Sequence, residues 1–311
     1  MNAITQQSQA TPGQLKQINR FGSDAIDKVL EEVGLDNPGA QRVIEHGNEF
    51  SAGIREAAIQ LIKNLSVTDQ FASEEVESSY TYPKEYRGPK PIGAQVDILA
   101  KEFGLSLGYV SEFIEKTLPT MKLPQGAEGW FAIPSVDAVA KRFFPEVTDP
   151  AEKYCRAIDL VLEKLGKSRN FYNYREGETG NRYLKQSART LHALDLIAEG
   201  QNGDILIVPV QYGMRHRGRS VRRARECFTA NEFGLGAFAL GCMALVHPER
   251  YVRWEQLHTD CAGDEYAPYA VGGFSGSPLF YFGGGGLEFV TDRVSDADDY
   301  YGSVSAFVPQ G

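Results

Sequence analysis

The residues best suited to chemistry lie in a basic stretch near the middle of the chain, where six arginines fall within eleven residues. Guanidinium groups bind carboxylates and phosphates through paired, charge-assisted hydrogen bonds. We therefore predict an anionic small-molecule ligand here, above all one that carries a phosphate. The expected ligand-binding residues are Arg215, His216, Arg217, Arg219, Ser220 and Arg222.

The flanking segments would direct these side chains toward one volume. Ile205 to Val210 is a β-branched run that predicts a buried strand, and helical spacing begins at Ser220, whose hydroxyl can cap a helix. A helix N-terminus presents free N–H groups and the positive end of the helix dipole. The sequence thus predicts a strand, a basic turn and a helix that together favour an anion.

A second cluster follows, and its candidate catalytic residues are His258, Asp260, Cys261, Asp264 and Glu265. A cysteine beside a histidine could act as a nucleophile with its base. Acidic neighbours raise the pKa of a thiol, however, which favours the carboxylates as acid–base groups or ligands of a divalent ion. A turn with Asp and Gly at its bends explains the same residues, and the residue types specify no reaction, cofactor or metal. Cys242, His247, His258 and Cys261 match no spacing of structural zinc sites.

Two other classes of function fit the basic stretch. A nucleic-acid-binding protein could use it together with Ile92 to Pro119, which matches a helix-turn-helix pattern, but Glu112 and Glu115 would face the phosphates. Nucleic acid is therefore the less favoured partner. A structural or partner-binding protein would instead pair the arginines internally, with the acidic segment from Thr259 to Gly311 as the expected source of carboxylates.

Composition limits where such a protein would act. The chain has 311 residues, a net charge of −9 and 42% hydrophobic residues, which disfavours nonspecific coating of nucleic acid. Met1 to Thr11 has neither a basic start nor an apolar segment, and no apolar run approaches a membrane span. The four cysteines are too dispersed for a disulfide scaffold. We predict a cytoplasmic protein without a membrane partner.

The organisation predicted is an α+β fold, with a helical N-terminal region over residues 1–88 and a mixed α/β domain over residues 89–311. One N-terminal helix should begin at Ser23 and end at Gly34. A longer one should bury an apolar stripe formed by Phe50, Ile54, Ala57, Ala58, Leu61 and Leu65. The C-terminal part is rich in glycine and predicts β-structure, with Leu279 to Phe282 and Leu287 to Val290 forming a hairpin.

Four further elements are predicted from periodicity. They are a strand at Trp130 to Ile133 and helices at Pro150 to Leu165, Tyr183 to Glu199 and Asn231 to Val246. The last helix contains Gly234, Gly236 and Gly241, so we expect it to be buried with close backbone packing that offsets the low helix propensity of glycine.

Three phrases of the chain resemble those of bacterial hypothetical proteins that have no assigned activity. They are Arg215 to Ser220, Asn231 to Gly236 and Cys261 to Glu265. The resemblance implies no function.

Overall fold

The computed structural model describes residues 12–65, 69–269 and 273–309. Met1 to Thr11, where the sequence predicts no secretory signal, lies outside the described residues. The chain divides into two compact units, residues 1–66 and 67–311. Residues 69–88, which the sequence groups with the N-terminal helices, therefore belong to the second unit.

The first unit is helical, with α1 (Pro12–Val33), α2 (Asn37–Glu45) and α3 (Gly47–Leu65). The predicted helix start at Ser23 is wrong, because its hydroxyl donates to the carbonyl of Asn19 at 3.1 Å within a continuous helix instead of capping a new one. In the predicted apolar stripe of α3, Phe50 and Ala57 are exposed and Ile54 and Ala58 are half-buried, while the side chains of Leu61 and Leu65 lie outside the described residues. None of the side chains described between residues 12 and 65 is buried.

The second unit contains both helices and short strands. Its helices are α4 (Ile92–Phe103), α5 (Gly108–Glu112), α6 (Val136–Phe143), α7 (Pro150–Ser168), α8 (Ala188–Gln201), α9 (Val221–Cys227) and α10 (Ala237–Val246). Its strands are β1 (Gly129–Pro134), β2 (Phe171–Asn173), β3 (Leu184–Gln186), β4 (Ile205–Gln211), β5 (Glu232–Gly234), β6 (His258–Asp260), β7 (Asp264–Tyr266), β8 (Gly276–Gly283), β9 (Gly286–Arg293), β10 (Tyr301–Ser303) and β11 (Ser305–Phe307). The α+β class is confirmed.

The strands form two sheets. The four-stranded sheet has the order β1-β4-β11-β5, and every residue of β4 in it is buried. The seven-stranded sheet runs β10-β6-β8-β7-β3, with β9 pairing to β8 and β2 pairing to β9. The buried strand predicted from Ile205 is thus confirmed, and it leads directly into the basic turn.

Helix α10 lies in the core, where every residue except Leu245 is buried. It packs on α7, and a Cβ added at Gly241 would lie 2.9 Å from a methyl of Val161. The expected compensation by close packing is confirmed at this glycine. The predicted helix began too early, however, because Glu232 to Gly234 pair with β11 as strand β5.

The predicted hairpin is confirmed and is longer than the sequence indicates. Strands β8 and β9 pair from Gly276↔Arg293 to Gly283↔Gly286. The two residues between them, Gly284 and Gly285, have φ of +56° and +84°, which is the backbone that a type I′ turn requires.

The helix predicted from Tyr183 to Glu199 begins later than predicted. Leu184 to Gln186 pair with β7 as strand β3, and α8 begins only after Ser187, whose hydroxyl caps it. Within the described ranges, no helix combines the length and apolar character needed to cross a bilayer.

Candidate functional site

The basic turn, defined here as residues 213–223, joins β4 to α9 as the sequence predicts and includes the first three residues of that helix. The hydroxyl of Ser220 accepts a hydrogen bond from the amide of Arg223 at 3.1 Å and so caps α9. Helix α9 has only seven residues. Its capped first turn therefore offers little free N–H capacity to an external anion.

The arginines at the end of this turn are bound by an acidic segment, residues 69–78. Glu74 accepts hydrogen bonds from Ser220 at 2.6 Å and from Nε of Arg222 at 2.7 Å. The hydrogen bond from Arg222 is the main reason that the pKa of Glu74 is lowered. Glu75 accepts from Arg219 at 3.1 Å and from Arg223 at 2.5 Å.

The backbones of the acidic segment and the basic turn also touch. The amide of Val76 donates to the carbonyl of Gly218 at 2.8 Å, and the amide of Ser220 donates to the carbonyl of Glu74 at 3.1 Å. Gly218 has φ of +73°, and a Cβ there would lie 2.1 Å from the carbonyl oxygen of Val76. Only glycine fits this position, so Gly218 serves the docking of the acidic segment.

The start of the turn is held by a buried carboxylate, Glu232 on β5. It lies 3.2 Å from Nε of Arg215 and 2.8 Å from Nε2 of His216, and its side chain is fully buried. Burial alone would raise its pKa, but hydrogen bonds from His216 and Ser305 and the charge of Arg215 lower the pKa to about 2. Burial lowers the pKa of His216, so we infer a neutral imidazole that donates to an ionised Glu232.

Arg217 differs from its neighbours. Its Nη1 donates to the carbonyl of Tyr80 at 3.1 Å, and its backbone bridges to Gly302. The six predicted ligand-binding residues are therefore brought together, and their side chains are engaged by groups of the chain itself. The carboxylates come from the acidic segment and Glu232, where the sequence had suggested the acidic C-terminal segment.

In the second cluster, Asp264 caps the N-terminus of α10 although it lies 27 residues away in the chain. Its two carboxylate oxygens accept from the amide of Ala237 at 2.7 Å and from the hydroxyl of Tyr154 at 2.6 Å. Ala237 is the first residue of α10, whose N-cap, Gly236, has no side chain to offer. Burial raises the pKa of Asp264 to about 7, although both hydrogen bonds oppose that shift.

The remaining candidate catalytic residues differ in where their side chains point and in their protonation. Glu265 follows Asp264 on β7, so it points to the opposite face, where it pairs with Lys185 at 2.9 Å. Burial, followed by the charges of Asp264 and Asp260, raises the pKa of Cys261 well above its usual range, which keeps it a thiol. Burial also lowers the pKa of His258 to about 4.

A second carboxyl group of this cluster, that of Asp260, also has a raised pKa. Burial, reinforced by the nearby charge of Asp292, raises its pKa to about 7. Among the described residues, no three histidine, cysteine or carboxylate side chains are arranged to hold a metal ion.

The two clusters are linked through Arg225, whose Nε donates to the carbonyl of Ala262 at 2.9 Å. Two open cavities lie elsewhere in this unit, one of about 700 Å³ against α7 and another beside α6. The residues that line the first are Asp159, Leu162, Glu163, Phe171, Asn173, Glu176, Gly177, Thr179 and Gly180.

Sequence reasoning missed Arg250, which is fully buried. Its Nη2 donates to the carbonyl of Leu257 at 2.9 Å and to the hydroxyl of Thr259 at 3.2 Å. Its guanidinium carbon lies 4.3, 5.2 and 4.9 Å from the ring centres of Tyr82, Tyr212 and Tyr251. These rings stabilise the buried cation by cation–π contact. A lone arginine after an apolar helix gave no signal for this role.

Comparison with known proteins gives no functional assignment: no family model, curated protein or solved structure matches the chain.

Proposed function

We propose that this chain is a structural, partner-binding protein whose N-terminal helix α1 pairs with α1 of a second copy. The observation that carries the proposal is the exposed apolar stripe of α1. Its members recur at helical spacing and are Leu15, Ile18, Phe21, Val29, Leu30 and Val33. An amphipathic helix gains most of its stability by burying such a face. Contiguous exposed apolar side chains mark interaction surfaces.

The charges of α1 favour a second copy as the partner. The first half carries Lys16 and Arg20, whereas the second half carries Asp24, Asp27, Lys28, Glu31 and Glu32. An antiparallel pair of identical helices places the basic half of each copy against the acidic half of the other. A two-fold axis produces this self-complementary arrangement.

The charge pairs of the second unit agree with a structural role. The basic turn is engaged by Glu74, Glu75 and Glu232, so its arginines stabilise the fold in the absence of any ligand. The carboxylate of Glu232 is fully buried, so its loss should be the most costly, whereas the pairs made by Glu74 and Glu75 are partly exposed. An external anion would have to compete with these carboxylates.

Sedimentation of the full chain over a wide range of concentrations tests the proposal. We expect a dimer that dissociates on dilution, and we expect the double variant Ile18→Asp with Val29→Asp to be monomeric throughout. Leu196→Asp is the matched control, because it places the same charge on an exposed leucine of α8. A monomeric wild-type protein, or equal dissociation in the control, would contradict the proposal.

The antiparallel orientation of the two α1 helices can be tested separately. Changing Lys16→Glu and Arg20→Glu should weaken an antiparallel dimer by setting acid against acid. Adding Asp27→Lys and Glu31→Lys should restore it. A parallel pair would be nearly indifferent to the first change, so failure to observe weakening and rescue excludes the antiparallel arrangement.

Anion and nucleic-acid binding at the basic turn stay predictions of the sequence. Thermal shift with nucleotides, sugar phosphates and acidic metabolites, with and without magnesium, tests the small-molecule prediction. Nucleic-acid binding should fall steeply with salt and be lost when Arg217 and Arg219 become Ala.

A further inference from the structure

A single row of side chains crosses five strands of the seven-stranded sheet. The pairing of neighbouring strands places its members side by side on one face of the sheet. They are Tyr301 on β10, His258 on β6, Tyr281 on β8, Glu288 on β9 and Tyr172 on β2. The neighbouring row, which contains Phe280 and Phe289, points to the opposite face and is fully buried. The first row is therefore the outer row of this sheet, in which Tyr172 is exposed, Tyr281 and Tyr301 are half-buried, and His258 and Glu288 are buried.

Further rings extend the outer row into an aromatic surface. The ring centre of Trp254 lies 4.8 Å from His258 and 5.5 Å from Tyr281, and that of Tyr300 lies 4.8 Å from His258. Trp254 is 50% exposed. We call the set Tyr172, Trp254, His258, Tyr281, Tyr300 and Tyr301 the aromatic face. A partly exposed cluster of tyrosine and tryptophan favours ligand contact, because these rings combine apolar area with polar groups.

Two carboxylates accept hydrogen bonds from tyrosines of the aromatic face. The hydroxyl of Tyr281 donates to Glu288 at 2.5 Å, and that of Tyr301 donates to Asp292 at 2.8 Å. His258 adds no positive charge at neutral pH, because burial lowers its pKa to about 4. Carboxylates at the tyrosine hydroxyls disfavour an anionic ligand there. Asp292 is half-buried and can accept a further hydrogen bond from a ligand rich in hydroxyl groups, whereas Glu288 is buried and is engaged by Tyr281.

The packing of the rings also bears on the type of ligand. His258 lies against Trp254, Tyr281 and Tyr300 with all three ring separations at 4.8 Å. The imidazole thus occupies the space that a methylated ammonium group would need between aromatic walls. The rings meet edge to face, at 71° between Trp254 and His258 and 78° between Trp254 and Tyr281, so a ligand would pack on individual rings of the aromatic face.

We propose that the aromatic face binds the sugar rings of a neutral oligosaccharide. The C–H faces of the sugars would pack on Trp254 and the tyrosines, and a sugar hydroxyl would donate to Asp292. Tyr172 and Tyr281 stand two strands apart, about 10 Å at the usual strand spacing, so they can contact different rings of one linear glycan. This site is independent of α1 and of the proposed self-association.

Affinity electrophoresis of the full chain in gels that contain hydroxyethyl cellulose, glycol chitin, xylan, mannan or soluble starch tests the proposal. We expect at least one of these neutral polysaccharides to retard the protein. Trp254→Ala and Tyr281→Ala should each weaken that binding about tenfold, the size expected for one lost aromatic contact. Trp254→Phe retains a ring and should retain most of the binding.

Tyr109→Ala is the matched control, because Tyr109 is an exposed tyrosine of α5 outside the aromatic face. It should bind as the wild type does, and urea unfolding shows that each variant is folded. Retardation by none of the polysaccharides would overturn the proposal. Equal loss in Tyr109→Ala, or binding of a proline-rich peptide at Trp254 without any of the polysaccharides, would overturn it as well.

Discussion

The basic turn and helix α1 differ in whether the chain itself supplies the partner that their residue types favour. The arginines of the basic turn have side chains suited to an external anion, yet Glu74, Glu75 and Glu232 of the same chain bind them. The apolar residues of α1 are ordinary core residue types, yet they are exposed. Residue type shows what a group can bind; only the fold shows whether the chain itself supplies the partner.

This contrast predicts that substitutions in the two regions have separable effects. Loss of a charge pair in the basic turn should lower the free energy of unfolding and leave self-association unchanged. Loss of apolar contact in α1 should abolish self-association and leave the unfolding of the second unit nearly unchanged. A substitution that moved both quantities together would remove the distinction.

The largest effect on stability is expected from Glu232→Gln. The variant keeps the shape of the side chain but removes the charge of a fully buried carboxylate that accepts from His216 and Ser305 and pairs with the partly exposed Arg215. We expect a loss of about 3 kcal/mol in the free energy of unfolding, measured with urea. Glu265→Gln removes a partly exposed pair with Lys185 and should cost less than about 1 kcal/mol. Equal losses in the two variants would show that Glu232 has no special structural role.

The difference between wild type and Glu232→Gln should depend on pH. The pKa of Glu232 in the folded state, about 2, lies below its ordinary value of 4.5. The ionised form therefore stabilises the fold above pH 4.5, and that contribution is lost as the pH falls toward 2. Unfolding curves of the two proteins should converge over this interval. A difference that stays constant down to the lowest pH would mean that another property of the residue stabilises the fold.

Glu74→Ala should have the next largest effect, because it removes the acceptor for Ser220 and Arg222. We expect a loss of about 2 kcal/mol, typical of hydrogen bonds to charged groups. The same variant sharpens the question of anion binding, since it frees Arg222. If the basic turn can bind a phosphate, added phosphate should raise the melting temperature of Glu74→Ala more than that of the wild type.

Local signals in the sequence were enough for several elements. The β-branched run of β4, the cap at Ser220 and the glycine turn of the hairpin depend on neighbouring residues, and all three are confirmed. Strands β3 and β5 were missed because each has three residues and is formed by pairing with a distant strand, β7 and β11 respectively. Such strands are determined by tertiary contact rather than by propensity.

The composition of the candidate site could also be predicted, but its partners could not. The sequence identified the arginines and suggested the nearby acidic C-terminal segment as an internal source of carboxylates. The observed carboxylate of Glu74 lies 148 residues away from Arg222 in the chain. It binds there because Val76 and Gly218 join the two backbones, a contact that no local pattern encodes. Glu232 was likewise visible only as part of a supposed helix.

The smallest effect is expected from Ser220→Ala, and it separates two roles of one hydroxyl. Ser220 caps α9 and also donates to Glu74, whereas Ser187 caps α8 without an ion-paired acceptor. Loss of a cap costs about 1 kcal/mol. We therefore expect Ser220→Ala to lower the free energy of unfolding by about 1 kcal/mol and by somewhat more than Ser187→Ala. In the Glu74→Ala background the two serine substitutions should cost the same, because the extra acceptor is gone. If Ser220→Ala still cost more than Ser187→Ala in that background, the hydrogen bond to Glu74 would not explain the larger effect at Ser220.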